Sequence, residues 1–227
     1  MEAAFFDLDG TLFTGHIWRA IVLHHQTRKT NRLALKFYIY SHIALLPFYK
    51  AGIISRKKYY ILWARNMAWT MWRMSEEQAE EAFQWITEHY VMPRIRPEVL
   101  EIWEHHREEG RKLFLVSGTF QALLEIIGER LKADGVVGTL LETKDGRFTG
   151  RIIEPLCFGE GKAQRLRAEL VRYPEIELAR SYAYADSIYD VPFLEMVGTP
   201  VAVYPDPELA EYAHRKGWPV FGKVREK

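Results

Sequence analysis

Residues 3–11 read AAFFDLDGT, and this stretch decides the fold. Its four leading apolar residues do not alternate with polar ones, which predicts a strand covered on both faces, as in the middle of a parallel sheet. The polar residues and Gly10 then end the strand in a turn. Asp7 and Asp9 can both reach one small space there, Asp7 as a nucleophile and Asp9 as a proton donor and acceptor. An ordinary surface turn has the same composition, so this stretch alone leaves both interpretations open.

The rest of the chain repeats the order of a strand followed by a helix. Further strands are predicted at residues 112–116, 135–138, 181–185 and 200–204, and a hairpin turn is predicted at residues 144–146. This alternation predicts an α/β fold, in which a Rossmann-like parallel sheet carries helices on both faces. Ligands bind at the carboxyl ends of the strands in such sheets. Asp7, Ser117 and Asp186 each follow a different predicted strand, so we expect them to meet in one active site.

A helical segment rich in aromatic residues interrupts this order. We predict a helical cap over residues 15–95, inserted into an α/β core that comprises residues 1–14 and 96–227. Within the cap, Ser75 and Gln78 have the spacing of a capping box, which marks the start of a helix.

Residues 33–54 of the predicted cap are apolar on nearly every side of a helix. Lys36, His42 and Pro47 interrupt the stretch, which makes it a poor candidate for spanning a membrane. Three interpretations stay open: burial inside the cap, a homodimer contact through the cap, or contact with lipid.

The composition narrows the class of protein. Of the 227 residues, 48% are hydrophobic and 27% are charged, which is typical of a folded globular protein. The formal net charge of +1 creates no overall attraction to nucleic acid or to an anionic membrane, so we expect neither as a partner. Cys157 is the single cysteine, which excludes an intramolecular disulfide and a cysteine-based metal site. Together with the lack of a secretory signal pattern, this cysteine usage leads us to expect a cytoplasmic protein.

Three further segments carry groups suited to phosphate or metal. Ser117 and Gly118 offer a hydroxyl and backbone N–H groups to a phosphate, although such a pair is also a common helix start. Lys162 begins a helix, where the helix dipole disfavours a lysine, so it either neutralises a bound anion or is a solvated side chain. Asp186 and Asp190 supply oxygen ligands for a hard cation, although Asp190 also suits a helix N-cap.

The order of these segments along the chain is more specific than any one of them. It resembles the four motifs of the haloacid dehalogenase superfamily, with DLDGT at 7–11, SGT at 117–119, Lys162 and ADSIYD at 185–190. The helical insert is similar to the cap of subfamily IB, the phosphoserine-phosphatase-like branch. The resemblance implies a Mg²⁺-dependent phosphatase that hydrolyses the phosphoric monoester of a small metabolite.

The resemblance also implies a role for each motif residue. Asp7 would attack phosphorus to form an aspartyl-phosphate, and Asp9 would protonate the leaving oxygen and then activate water. Mg²⁺ would be held by an Asp7 carboxylate oxygen, the Asp9 backbone carbonyl and Asp186, together with phosphate oxygen and water. The phosphoryl oxygens would be held by Thr11, Ser117, Gly118 and Lys162, with Lys162 also offsetting charge. Asp190 would support the metal site or position Lys162.

One departure from the family pattern bears on the substrate. Phosphoserine phosphatases carry an acidic residue soon after the first motif, which binds the substrate ammonium group. Here no carboxylate lies between Asp9 and Glu76, so we expect a substrate other than phosphoserine. His16 and Arg56 in the cap are the candidates for substrate specificity.

Three alternative functions follow from the same residues. One is a phosphotransferase that uses the same aspartyl-phosphate, and another is a phosphatase directed at a membrane or lipid phosphate. The third is a lipid- or partner-binding module on a retired catalytic core. The presence of the nucleophile, the lysine and the metal acids argues against a retired core.

Overall fold

The computed structural model describes residues 1–225, and a seven-stranded sheet forms the centre of this part of the chain. The strands are β1 (Ala3–Phe6), β2 (Lys112–Phe120), β3 (Gly135–Lys144), β4 (Arg147–Ile153), β5 (Tyr182–Ala185), β6 (Thr199–Val203) and β7 (Val220–Phe221). They lie in the order β4-β3-β2-β1-β5-β6-β7, and only the β3–β4 hairpin is antiparallel. The predicted parallel sheet is therefore confirmed, with β1 at its middle.

Helices cover both faces of this sheet. They are α1 (Ile17–Arg28), α2 (Arg32–Lys50), α3 (Arg56–Asn66), α4 (Glu76–Ile86), α5 (Pro97–Glu108), α6 (Gln121–Leu131), α7 (Glu160–Leu170), α8 (Val191–Leu194) and α9 (Pro207–Lys216). Side chains of β1 alternate between two buried clusters, because successive residues of a strand point to opposite faces. Ala4 and Phe6 pack in the cluster that α5 and α6 complete, whereas Phe5 packs with α7, α8 and α9. This arrangement confirms the predicted α/β fold.

Helices α1 to α4 lie between β1 and α5, in the segment predicted as a cap. Ser75 and Gln78 form the predicted capping box at the start of α4, each side chain accepting from the other's backbone N–H. The hairpin contacts this segment, since Phe148 of β4 exchanges backbone hydrogen bonds with Arg73 and Met74 at 2.8 and 3.0 Å. The cap boundaries at residues 15 and 95 stay a prediction.

The apolar stretch of the cap forms α2, and its two sides have different surroundings. Ala34, Leu35 and Tyr38 are buried on the inner side, as expected for cap packing. Leu33 and Phe37 on the outer side are exposed. Burial inside the cap therefore accounts for one side of α2 only. Within residues 1–225, no helix has the length and hydropathy needed to cross a membrane.

Two local features differ from the sequence-based expectation. β2 continues with an irregular register as far as Phe120, so residues 117–119 belong to the strand end and α6 begins only at Gln121. The backbone N–H groups of this segment are thus presented by a distorted strand rather than by a helix terminus. The short edge strand β7 was not predicted, because two residues cannot show an alternating pattern.

Candidate active site

A cavity of about 650 Å³ lies at the carboxyl ends of β1, β2 and β5, between the sheet and the cap. Among the residues predicted for the site, its lining includes Asp7, Asp9, His16, Arg56, Ser117, Gly118, Lys162, Asp186 and Asp190. Thr11 is fully buried next to this lining, and its hydroxyl donates to Asp7 Oδ2 at 3.2 Å. The predicted residues therefore meet at one edge of the sheet, as the positions of the strand ends require.

Lys162 joins two of the buried carboxylates. Its Nζ donates to Asp7 Oδ1 and to Asp190 Oδ1, at 2.7 Å each, and its side chain is only 3% exposed. Burial by itself lowers the pKa of Lys162, but the carboxylates of Asp190 and Asp7 outweigh burial and raise the pKa above its ordinary value. Lys162 is consequently a fixed positive charge, and of its two interpretations from sequence the solvated side chain is wrong.

The local backbone explains how a lysine enters this space. Gly159 precedes α7 with φ of +57°, and a Cβ on Gly161 would lie 2.0 Å from the carbonyl oxygen of Leu156. The first turn of α7 thus packs directly against the backbone of the preceding loop. Lys162 extends from that turn toward the end of β1.

Asp186 follows β5 and pairs with a residue that sequence reasoning missed. Arg225 Nη1 lies 2.5 Å from Asp186 Oδ2, and Arg225 Nη2 donates to the Asp186 carbonyl at 2.8 Å. Burial first and the charge of Asp7 second raise the pKa of Asp186 well above its ordinary value, with Arg225 opposing both. Arg225 follows the last strand and belongs to no motif, so no local pattern could have indicated this contact.

Three buried carboxylates form a set of ligands suited to a metal ion. One oxygen each from Asp7, Asp186 and Asp190 lies within 4.8 Å of the others. Hard oxygen ligands that are few in number, beside space for phosphate and water, are the kind that Mg²⁺ prefers. These residues therefore fit Mg²⁺.

Asp9 lies outside that set of carboxylates and has a different environment. Its Oδ2 accepts from the backbone N–H of Ile17, at the start of α1, at 3.1 Å. Its Oδ1 is buried and has no hydrogen-bond partner within residues 1–225. Burial, and after it the charge of Asp7, raises the pKa of Asp9 to about 8. Asp9 thus holds a proton near neutral pH, as a general acid must.

The end of β2 forms the opposite side of the site. Ser117 Oγ accepts from the backbone N–H of Thr119 at 3.2 Å, and Thr139 donates to the Gly118 carbonyl at 2.9 Å. A Cβ on Gly118 would lie 3.3 Å from the Cys157 carbonyl oxygen, so even an alanine here would require that backbone to shift slightly. Burial raises the pKa of the Cys157 thiol to about 12, which excludes a thiolate nucleophile at neutral pH.

The cap and α9 form the outer part of the cavity. Arg56 Nη1 pairs with Glu208 Oε1 of α9 at 2.7 Å, across the cavity mouth. Glu208 is a cavity carboxylate that the sequence did not indicate, because α9 lies far along the chain from the cap and comes next to it only in the folded protein. His16 lines the cavity just before α1, and burial, then Arg19 and other charges, lower its pKa. The wall also contains the aromatic residues Trp18, Tyr59, Tyr60, Trp63 and Tyr189.

Comparison with known proteins gives consistent matches. The family model described as haloacid dehalogenase-like hydrolase matches residues 4–195. Phosphoserine phosphatase SerB1 of Mycobacterium tuberculosis is 32% identical over 96% of this chain and 70% of its own length. Histidinol-phosphatase of Neisseria meningitidis is 29% identical over 96% of each chain. The crystal structure of a Bordetella pertussis protein of unknown function covers 97% of this chain and 98% of its own, with 26% identity and a TM-score of 0.81.

Proposed function

The chain belongs to the haloacid dehalogenase-like hydrolases and is a phosphatase acting on phosphate monoesters, and we propose that it is Mg²⁺-dependent and forms an aspartyl-phosphate on Asp7. The observation that carries the proposal is the buried contact of Lys162 with Asp7 and Asp190, beside the Asp186 carboxylate. Such a cluster supplies a nucleophile, a fixed cation and metal ligands within a few ångströms.

In the first step, a carboxylate oxygen of Asp7 attacks phosphorus and the bond from phosphorus to the ester oxygen breaks. Asp9 donates its proton to the departing oxygen, and its raised pKa of about 8 keeps that proton available near neutral pH. Lys162 holds the Asp7 carboxylate in place through the 2.7 Å contact with Oδ1. Thr11 donates to the other oxygen, so both oxygens of the nucleophile are oriented.

In the second step, water attacks the phosphorus of the aspartyl-phosphate. Asp9, now a carboxylate, accepts a proton from the water as the bond from phosphorus to Asp7 breaks. Inorganic phosphate leaves, and both aspartates return to their initial states. Mg²⁺, held by Asp7, Asp186, Asp190 and the Asp9 carbonyl, would offset the negative charge that phosphate brings to these carboxylates. Ser117, Gly118 and Lys162 are the groups we assign to the phosphoryl oxygens.

The cavity wall supports a substrate other than phosphoserine. Glu208 is the carboxylate that α9 contributes to the cavity mouth, and its pairing with Arg56 reduces its attraction for a substrate ammonium group. The aromatic side chains of the wall suit a phosphate ester that carries a flat or apolar group. The relative named histidinol-phosphatase adds histidinol phosphate to the esters to be tested, although this ester shares the ammonium group of phosphoserine. An aryl phosphate, which has a flat group and no ammonium group, is the first ester that we would test.

Phosphate release tests the proposal directly. The purified chain, given an aryl phosphate, histidinol phosphate or phosphoserine, should release phosphate with Mg²⁺ and stop on chelation, with phosphoserine the poorest of the three. Asp7→Asn should abolish turnover, and Asp9→Asn should lower kcat by about 10²–10⁴-fold through lost proton transfer. Asp145→Asn changes an exposed carboxylate in the hairpin turn and serves as the control.

Two outcomes would change the assignment. Near-normal activity of Asp7→Asn would exclude the aspartyl-phosphate. Transfer of phosphate to an added alcohol in preference to water would make the protein a phosphotransferase with the same intermediate.

A further inference from the structure

The outer side of α2 carries apolar side chains that the rest of the described chain leaves mostly exposed, although the ring of Phe37 contacts Trp69 at a centroid distance of 5.1 Å. Leu33, Phe37, Tyr40, Ile43 and Phe48 recur every three to five residues, which places them on one side of the helix. Leu33 is 82% exposed, Phe37 and Tyr40 are each 64% exposed, and Ile43 and Phe48 are 56% and 50% exposed. We name these five residues the α2 stripe. Contiguous exposed apolar residues of this size mark an interaction surface.

The charge around the α2 stripe has one sign. Residues 10–75 contain eleven arginines and lysines and no aspartate or glutamate. Seven of these cations are exposed on or near α2: Arg28, Lys29, Arg32, Lys36, Lys50, Lys57 and Lys58. Within residues 1–225, none of the seven makes an ion pair with a carboxylate, whereas Arg56 and Arg65 pair with glutamates of the core. The overall net charge of +1 does not describe this local concentration of positive charge.

We propose that the α2 stripe and its surrounding cations bind the surface of an anionic lipid bilayer. A helix that presents apolar side chains between lysines and arginines lies in the plane of a membrane interface, with its apolar side in the headgroup region. Unpaired cations near such a surface are attracted to anionic headgroups. An anionic bilayer surface would thus take up both the apolar side chains and the cations of α2. The helix would lie along the membrane without crossing it.

A second copy of the chain fits the same surface less well. In a two-fold symmetric contact each patch meets itself, so the cations around one α2 would face the cations around the other. Like charges placed together across an interface oppose association. An anionic polymer such as nucleic acid would pair with the cations, but the exposed Leu33, Phe37 and Ile43 would keep their contact with water.

Vesicle co-sedimentation of the full chain tests the proposal. The protein should bind vesicles of phosphatidylcholine mixed with phosphatidylglycerol, bind phosphatidylcholine vesicles far more weakly, and release as salt is raised. Replacing Lys29, Lys36 and Lys50 with glutamine should weaken binding to the mixed vesicles on the order of 100-fold, about fivefold for each charge. Leu33→Gln combined with Phe48→Gln should also weaken binding, but with the salt dependence kept.

Matched controls test whether the loss of binding is specific to the α2 stripe and its cations, or follows from replacing any exposed apolar or charged residue. Val171→Gln replaces a 79% exposed valine of the α/β core domain, and Lys144→Gln removes an exposed lysine at the end of β3. Both variants should bind the mixed vesicles as the wild type does. All variants should keep the wild-type unfolding temperature and the wild-type hydrolysis of a water-soluble phosphate ester, because none of them changes a residue of the active-site cavity.

Three results would overturn the proposal. The first is equal binding to both kinds of vesicle, and the second is binding that neither set of α2 substitutions weakens. The third is a dimer in analytical ultracentrifugation that Leu33→Gln with Phe48→Gln dissociates, without any binding to vesicles. That last result would assign the α2 stripe to a second copy of the chain.

Discussion

Gly10 allows the carboxylates of two different strand ends to come together. Its φ of +82° is one that glycine adopts readily, and a Cβ at this position would lie 2.2 Å from Asp186 Oδ2. Asp186 therefore approaches the end of β1 only because residue 10 has no side chain. The glycine of the DLDGT segment thus has a steric role at the active site in addition to its role in the turn.

Gly10→Ala should lower kcat strongly, because the new methyl group must displace the Asp186 carboxylate. A displacement of about 1 Å at a catalytic group can cost roughly 10²-fold in rate, so a loss of that order is expected. Gly110→Ala is the matched control, since Gly110 has a similar φ of +74° and nothing within 4 Å of its Cβ position. Both variants should lose free energy of unfolding through the same backbone strain, and Gly10→Ala should lose more because it adds the clash with Asp186. An equal loss of kcat in both would attribute the effect to backbone strain instead of to Asp186.

Arg225 competes with a metal ion for the same carboxylate, because its guanidinium lies on Asp186 Oδ2. Arg225→Gln should therefore bind Mg²⁺ more tightly, by about fivefold if the lost ion pair contributes about 1 kcal/mol. Isothermal titration with MgCl₂ measures this change without any turnover. Arg172→Gln removes an ion pair with Glu169 on the surface of the core and should leave Mg²⁺ binding unchanged. Weaker Mg²⁺ binding in Arg225→Gln would mean that Arg225 supports the carboxylates instead of competing.

At the scale of elements, Asp206 connects α9 to the loop that carries two active-site acids. Its Oδ1 accepts from Leu209 N at 2.7 Å as the N-cap of α9, and its Oδ2 accepts from Ile188 N at 3.0 Å. Its own backbone N–H donates to the Asp186 carbonyl at 2.8 Å. One buried carboxylate thereby fixes a helix start and the loop between Asp186 and Asp190.

Asp206→Ala should destabilise the protein by roughly 2 kcal/mol and also lower kcat, because both hydrogen bonds to its carboxylate are lost. Ser75→Ala removes the N-cap of α4, which is not part of the active-site cavity, and should cost about 1 kcal/mol with kcat unchanged. Urea unfolding and steady-state kinetics of the two variants give the comparison. If Asp206→Ala kept the wild-type kcat, the loop would hold its position without this residue.

These two caps show what the sequence could predict. The Ser75 box spans four residues, so local spacing was enough to find it. The bond from Asp206 to Ile188 joins residues 18 apart, and it exists only because β5 and β6 are neighbours in the sheet. The same distinction separates Asp7 and Lys162, which lie in recognisable motifs, from Arg225, which reaches the site through the path of the last strand. Sequence patterns therefore predicted the sheet and the motif residues, but not the long-range contacts that surround them.

At the scale of the whole molecule, a buried network joins the N-terminal strand, α5 and β5. The ring of Phe6 stacks on Tyr184 at 4.3 Å, and His106 Nε2 lies 2.7 Å from the Tyr184 hydroxyl. Arg111 Nη1 donates to His106 Nδ1 at 2.9 Å, so the histidine is neutral with its proton on Nε2. Arg111 also pairs with Glu2 at 2.8 Å, which attaches the beginning of the chain to the same network.

This network should make the stability of the protein depend on pH through His106. Burial first and Arg111 second lower the pKa of His106 from 6.5 to about 4, so protonation favours the unfolded chain. The neutral histidine contributes its full stabilisation of the folded protein above pH 6.5. This stabilisation, roughly 3 kcal/mol at most, is lost as the pH falls from 6.5 through 4. His106→Gln should therefore reduce the difference between the free energies of unfolding at pH 7 and pH 4, measured with urea. His105→Gln changes an exposed neighbour and should keep the wild-type difference, and an unchanged difference in His106→Gln would show that another group controls acid unfolding.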